Sequence, residues 1–146
     1  MKKILLFISA VCIVFFASCE GNVREKIESK KTEIQISENK DDKPMYICIT
    51  AEQAKNIIDS DEECVVLDVR EQYEYDEGHI PGAILIPYTQ IEELAPEKLP
   101  DKQMQILVYC RSGRRSKIAS ESLVQMGYTG VKEFGGIIDW PYEIEK

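Results

Sequence analysis

The chain has 146 residues, room for one domain with a proper core and too few for several. Acidic residues outnumber basic ones 26 to 18, for a net charge of -8. That balance argues against nucleic acid or an anionic membrane surface as a partner.

Lys2 and Lys3 make a basic start, and Ile4 to Ala17 is almost continuously apolar, broken only by Ser9. The run is shorter than the ~20 residues a spanning helix needs, so residues 1–18 read as a signal peptide. Phe16-Ala17-Ser18-Cys19 resembles the lipobox of bacterial lipoproteins, with Phe16 where Leu is usual. The resemblance implies cleavage before Cys19 and lipidation of that cysteine. The expectation is an exported protein held to a bacterial membrane by its lipid alone, on the periplasmic or cell-surface side. Residues 1–18 carry two lysines and no acid, so the mature chain has 16 basic against 26 acidic residues, or -10.

Five cysteines shrink to three once Cys12 is cleaved off and Cys19 is acylated. An odd number leaves at least one thiol free in an oxidising compartment. Cys48 and Cys64 fall within predicted strands and read as buried, inert thiols, with a disulfide between them as the alternative. Cys110 is the third.

Residues 19–43 are polar and charged, with little to bury, and read as a solvated tether. The alternation in Thr32-Glu33-Ile34-Gln35-Ile36 is compatible with a short edge strand. The folded domain is expected over residues 44–146. Tyr46 to Ile49 reads as a strand. Thr50 then caps a helix, with Gln53 completing a capping box and Ala54, Ile57 and Ile58 forming the apolar face. Cys64 to Val69 is a near-continuous apolar run, as expected of a strand covered on both faces. Glu71 to Glu77 is a polar helix or turn, leading to the loop Gly78-His79-Ile80-Pro81-Gly82. Ala83 to Pro87 is a short third strand. Gln90 to Leu94 is a weak helix ending before Pro96 and Pro100. Gln105 to Tyr109 is a fourth strand that delivers Cys110. Ser116 to Met126 is the clearest helix, with Ile118, Ala119, Leu123 and Met126 on one face and Gly127 as its stop. Val131 to Phe134 is a fifth strand, and Gly135 to Pro141 closes the domain with a helical turn. Strands alternating with helices imply an α/β fold around a mainly parallel five-stranded sheet with helices on both faces. In such sheets ligands bind outside the carboxyl ends of the strands, which is where Cys110 falls.

The stretch Cys110-Arg111-Ser112-Gly113-Arg114-Arg115 joins that strand to that helix. Loop N–H groups and the helix N-terminus favour an anion there, and they push a thiol toward the nucleophilic thiolate. Arg111, Arg114, Arg115 and Lys117 place four cations within residues 110–117 of an acidic protein. Arg111 and Arg114 are placed to hold an anionic substrate, and Arg115 ranks third because it begins the helix. Gly113 supplies the backbone freedom the turn needs.

Four motifs in order resemble the rhodanese homology domain: Leu67-Asp68-Val69-Arg70-Glu71, Gly78-His79-Ile80-Pro81-Gly82-Ala83, Cys110 to Arg115, and Gly135-Gly136 with Asp139-Trp140. The resemblance runs from about residue 46 to residue 143. It implies a rhodanese-like sulfurtransferase with no cofactor and no metal. Cys110 would take sulfur from thiosulfate or a similar small anionic donor, carry it as a persulfide, and pass it to a thiol or cyanide. The alternative is a sulfur-relay or binding module that serves a protein thiol. A cysteine phosphatase is the weaker rival, since those loops resemble C-x5-R and Arg115 gives C-x4-R, one residue short. Tyr109 also stands where protein phosphatases usually carry His. Asp68 and Arg70 read as a supporting ion pair that orders neighbouring loops, with a substrate-side role for Arg70 as the lesser reading. His79, the single histidine, is expected to fix its turn by hydrogen bonding to backbone, and Trp140 to lid the core.

Overall fold

In the computed structural model the described residues are 45–146. The segments read as a signal peptide and a tether, with Cys12, Cys19 and Thr32–Ile36, lie outside them. Five strands, β1 (Ile47–Cys48), β2 (Cys64–Asp68), β3 (Ile84–Leu85), β4 (Gln105–Cys110) and β5 (Gly130–Gly136), form one sheet. Its order is β1-β5-β4-β2-β3, and every pairing is parallel. The fold is the expected α/β arrangement, with a sheet that is wholly rather than mainly parallel.

The alternation of β4 explains the layers. Ile106, Val108 and Cys110 face one side, where they meet Ala95 of α3 (Ile91–Lys98) and Ala119, Leu123 and Val124 of α4 (Arg114–Gln125). Leu107 and Tyr109 face the other, packing with Ala54 of α1 (Ala51–Ile58) and with Phe134 and Trp140. The capping box read at Thr50 is present: the Thr50 hydroxyl accepts from the Gln53 N–H at 3.1 Å, and Gln53 answers at 2.8 Å. Such a cap contributes about 1 kcal/mol.

Strands β1 and β3 are shorter than read, and three other boundaries differ for a physical reason. Helix α3 runs through Pro96, because Pro96 and Glu92, whose carbonyl would have bonded its missing N–H, lie on the solvent face. Helix α4 starts at Arg114, two residues early, because its cap is Gly113 at φ 92° and uses no side chain. Its buried face carries Ser116 and Ser120 beside Ala119 and Leu123, while Ile118 is 41% exposed. Strand β5 extends to Gly136. Between Val108 and Cys110 on β4 its register slips: Val108 pairs with Glu133, but Cys110 pairs with Gly136. The extra residue makes a bulge that bends the strand end beneath the Cys110 loop.

Cys48 and Cys64 are free, half-buried thiols. Two strands separate β1 from β2, which rules out the disulfide alternative. Among the described residues no helix is long and apolar enough to cross a membrane.

Candidate active site

Strand β4 ends on Cys110 at the carboxyl edge of the sheet, and residues 111–113 turn straight into α4. Cys110 is 1% exposed. The backbone N–H of Gly113 donates to its Sγ at 3.1 Å. Burial alone would push this thiol up. Hydrogen bonding with the Ser116 hydroxyl, together with the backbone N–H groups of Ser116, Ser112 and Gly113, outweighs it, and the net displacement is downward. The cradle is therefore made mostly of backbone, as the strand–loop–helix junction implied.

Gly136 presses directly on this loop. A Cβ there would sit 2.3 Å from the Arg111 carbonyl oxygen and 2.5 Å from Ser112 Cα. The Ile138 N–H donates to the same Arg111 carbonyl at 3.3 Å. The two-glycine motif is thus the floor on which the Cys110 loop rests. Arg111, Ser112 and Arg114 are exposed, which leaves two cations of this stretch facing solvent.

Arg115 is not a third. Its guanidinium points back to Glu74 of α2 (Gln72–Glu77), with Nη1 and Nη2 donating to the two carboxylate oxygens at 2.6 and 2.8 Å. Glu74 is buried. A bidentate pair of this kind holds the start of α4 against α2 and occupies the donors that a substrate anion would need. The Arg115 hydrogen bonds hold the Glu74 carboxyl below its ordinary value of 4.5, against the upward push of burial. The sign follows: the stabilisation is present above the ordinary carboxylate range and is lost as pH falls through the lowered value. Glu74→Gln is expected to flatten the acid limb of the stability-versus-pH curve, measured by denaturant unfolding across that range.

A model of the rhodanese-like domain family matches residues 50–141 of this chain. The chain is 38% identical over 98 residues to the putative sulfur carrier protein YrkF of Bacillus subtilis, covering 66% of this chain and 52% of that protein. It is 42% identical over 73 residues to the thiosulfate sulfurtransferase PspE of Escherichia coli, covering 50% of this chain and 70% of that protein. A solved structure titled rhodanese with anions, from E. coli, aligns at 39% identity and a TM-score of 0.54, over 56% of this chain and 96% of its own. The chain belongs to the rhodanese-like domain family. It spans about half the length of YrkF.

In this rhodanese-like domain Asp68 and Arg70 are a buried pair, 0% and 5% exposed. Arg70 Nε meets both carboxylate oxygens at 3.0 and 2.9 Å, Nη2 meets one at 2.6 Å, and the Arg70 N–H adds a bond at 2.9 Å. Nη2 also donates to the Gly78 carbonyl at 2.7 Å, tying the end of β2 to the Gly78–Gly82 loop. His79 belongs to that loop. Its ring stacks on Tyr75 with centroids 3.7 Å apart, and Nδ1 lies 3.0 Å from the Tyr75 carbonyl. Trp140 packs against Phe134 and Tyr142 as a lid on the α1 side.

Three site residues of the rhodanese-like domain escaped the sequence reading. Glu74 lies 41 positions from its partner Arg115, and nothing local connects them. Ser116 places its hydroxyl 3.6 Å from Cys110 Sγ. Glu133 lies under the loop with a carboxylate oxygen 2.6 Å from Ser116 Oγ. The period-two pattern carried a signal for it, since Val131 and Glu133 share a strand face and Val131 is a core residue.

Proposed function

We propose that this protein is a sulfurtransferase that moves sulfane sulfur from thiosulfate, or a similar small anionic donor, to a thiophilic acceptor through a Cys110 persulfide. The observation that carries the reading is the Cys110 cradle, a buried sulfur that accepts a backbone N–H and whose loop carries two exposed arginines. Family membership adds to it. The Cys110 thiolate attacks the outer sulfur of the donor, the new S–S bond forms, and the S–S bond to the leaving sulfite breaks. The persulfide that remains is an anion, and the N–H groups that favoured the thiolate favour it in turn. The acceptor thiolate or cyanide then takes the outer sulfur and returns Cys110 to thiolate. Arg111 and Arg114 draw in the anionic donor and hold it at the loop.

The name of YrkF as a putative sulfur carrier favours a second reading, a relay whose donor is a protein persulfide. Intact-mass measurement separates the two. Thiosulfate treatment is expected to add one sulfur atom, mapped to the peptide that carries Cys110. No gain from thiosulfate, but a gain from a persulfidated protein, supports the relay instead. Gain from neither sinks sulfur transfer.

The location is proposed from the N-terminal residues alone, as a lipoprotein anchored at Cys19. Full-length protein is expected in the membrane fraction and Cys19→Ala in the soluble fraction. A variant that still partitions into membranes ends the proposal.

A further inference from the structure

Glu133 sits where an apolar residue belongs. Its side chain shares the face of β5 with Val131, under α4, and it is 3% exposed. Among the described residues no cation forms a salt bridge with it. Burying a carboxylate there is costly unless hydrogen bonds compensate. Two do: the Ser116 hydroxyl at 2.6 Å and the Gly135 N–H at 2.9 Å, both to Oε1. The bulge of β5 frees the Gly135 N–H for this purpose. A local rule broken inside a packed core, beside a reactive sulfur, points to a role in the chemistry.

The hydroxyl decides what that role is. Ser116 Oγ lies 3.6 Å from Cys110 Sγ and has one proton to give. When that proton is turned to Glu133, Ser116 shows sulfur only a lone pair. This suits a thiol S–H and opposes a thiolate. When it is turned to sulfur, the buried carboxylate keeps only the Gly135 bond. The Gly113 and Gly135 carbonyls, 2.9 and 3.4 Å from Ser116 Oγ, also lie within reach of that proton, and Cys110, Ser116 and Glu133 form one continuous hydrogen-bonded chain.

We propose that Glu133 is the proton acceptor for Cys110, acting through Ser116. The Cys110 S–H bond breaks as its proton joins Ser116 Oγ, and the Ser116 O–H bond breaks as that proton joins the Glu133 carboxylate. Thiol and carboxylate become thiolate and carboxylic acid with no change in total charge. Glu133 never touches the sulfur donor, so it is a positioning residue for the proton rather than a catalytic one. The other groups around the chain are Tyr46 just before β1 and Cys48 on it, and Arg115, Lys117 and Glu121 on α4. Burial and the nearby Glu133 charge push the Cys48 thiol up. Burial, with Cys48, Glu121 and Glu133, pushes the Tyr46 phenol up to about 12. Arg115 is held by Glu74.

Coupled groups titrate as a pair. This sets the test, which relies on Cys110 being the nucleophile of the proposed transfer but needs no sulfur donor. Iodoacetamide alkylation of the full chain is followed at the Cys110 peptide from acid to alkaline pH. The wild-type rate is expected to rise in two steps, of which the higher is the thiol step. Glu133→Gln still accepts from Ser116 and Gly135 but takes no proton, and it should show the thiol step alone. Its rate on the lower plateau should fall about tenfold, the equivalent of one pKa unit. Ser116→Ala breaks the chain in the middle and should do the same. A single step in the wild type overturns the proposal by itself, whether or not the variants fold. Two steps that persist in both variants also overturn it. Failure of sulfur transfer reads out separately, as no mass gain from any donor.

Discussion

Cys110→Ser is expected to give a folded protein that takes up no sulfur. The serine oxygen occupies nearly the same place and still accepts the Gly113 N–H that now reaches Sγ at 3.1 Å. The structural change is one atom in a site already supplied with donors, so thermal unfolding should shift by no more than about 1 kcal/mol. The chemical change is complete. A hydroxyl holds its proton far more tightly than a thiol, and a loop that lowers a thiol cannot bring an alcohol to alkoxide at neutral pH. An oxygen also cannot form the disulfide-like bond that stores the sulfur. Turnover with thiosulfate and cyanide should fall to background, and intact mass should show no adduct. If the variant still gains sulfur, another cysteine carries it, and the assignment of Cys110 is wrong.

The largest effect on stability is expected from Asp68→Ala. Four hydrogen bonds join Arg70 to that carboxylate. Removing the acid leaves a buried guanidinium with the Gly78 carbonyl as its remaining hydrogen-bond partner. Leaving one partner of a buried pair uncompensated costs ~3–5 kcal/mol, a large part of the ~5–15 kcal/mol that holds a typical domain together. Urea unfolding should record the loss as a lower midpoint. The paired change Asp68→Leu with Arg70→Met removes both charges and should recover most of it, because the desolvation cost disappears with the charge. If Asp68→Ala costs under about 1 kcal/mol, the pair does not hold the Gly78–Gly82 loop, and Arg70 is freer to meet substrate than its contacts imply.

Much of the scaffold was legible because local rules carried it. Thr50 and Gln53 announce the start of α1 within three residues. The apolar run from Cys64 to Val69 announces a strand covered on both faces. Where readings slipped, the cause was a contact from outside the segment or a cap with no side chain. Gly113 starts α4 through a left-handed backbone, which leaves nothing for a pattern to detect. Pro96 was read as a stop, but on the solvent face its missing hydrogen bond is cheap. Glu133 was read only as part of the fifth strand, Val131 to Phe134, with no role of its own. The period-two pattern puts it on the face of Val131, and the sheet register with the helix packed over it decides that this face is buried.

The residue types and spacing from Cys110 to Ser116 by themselves determined that a thiol would meet a positive, N–H-rich loop. Chemistry of that kind is local, since a strand end, a short loop and a helix start are consecutive in the chain. The tertiary structure alone decided which cations are free and where a proton can go. Arg115 is taken by a carboxylate 41 positions away, whereas Arg111 and Arg114 stay open to solvent. Ser116 meets Glu133 across 17 positions. Contacts over such separations depend on how layers stack, and for the loop around Cys110 that stacking sets what its charges can do.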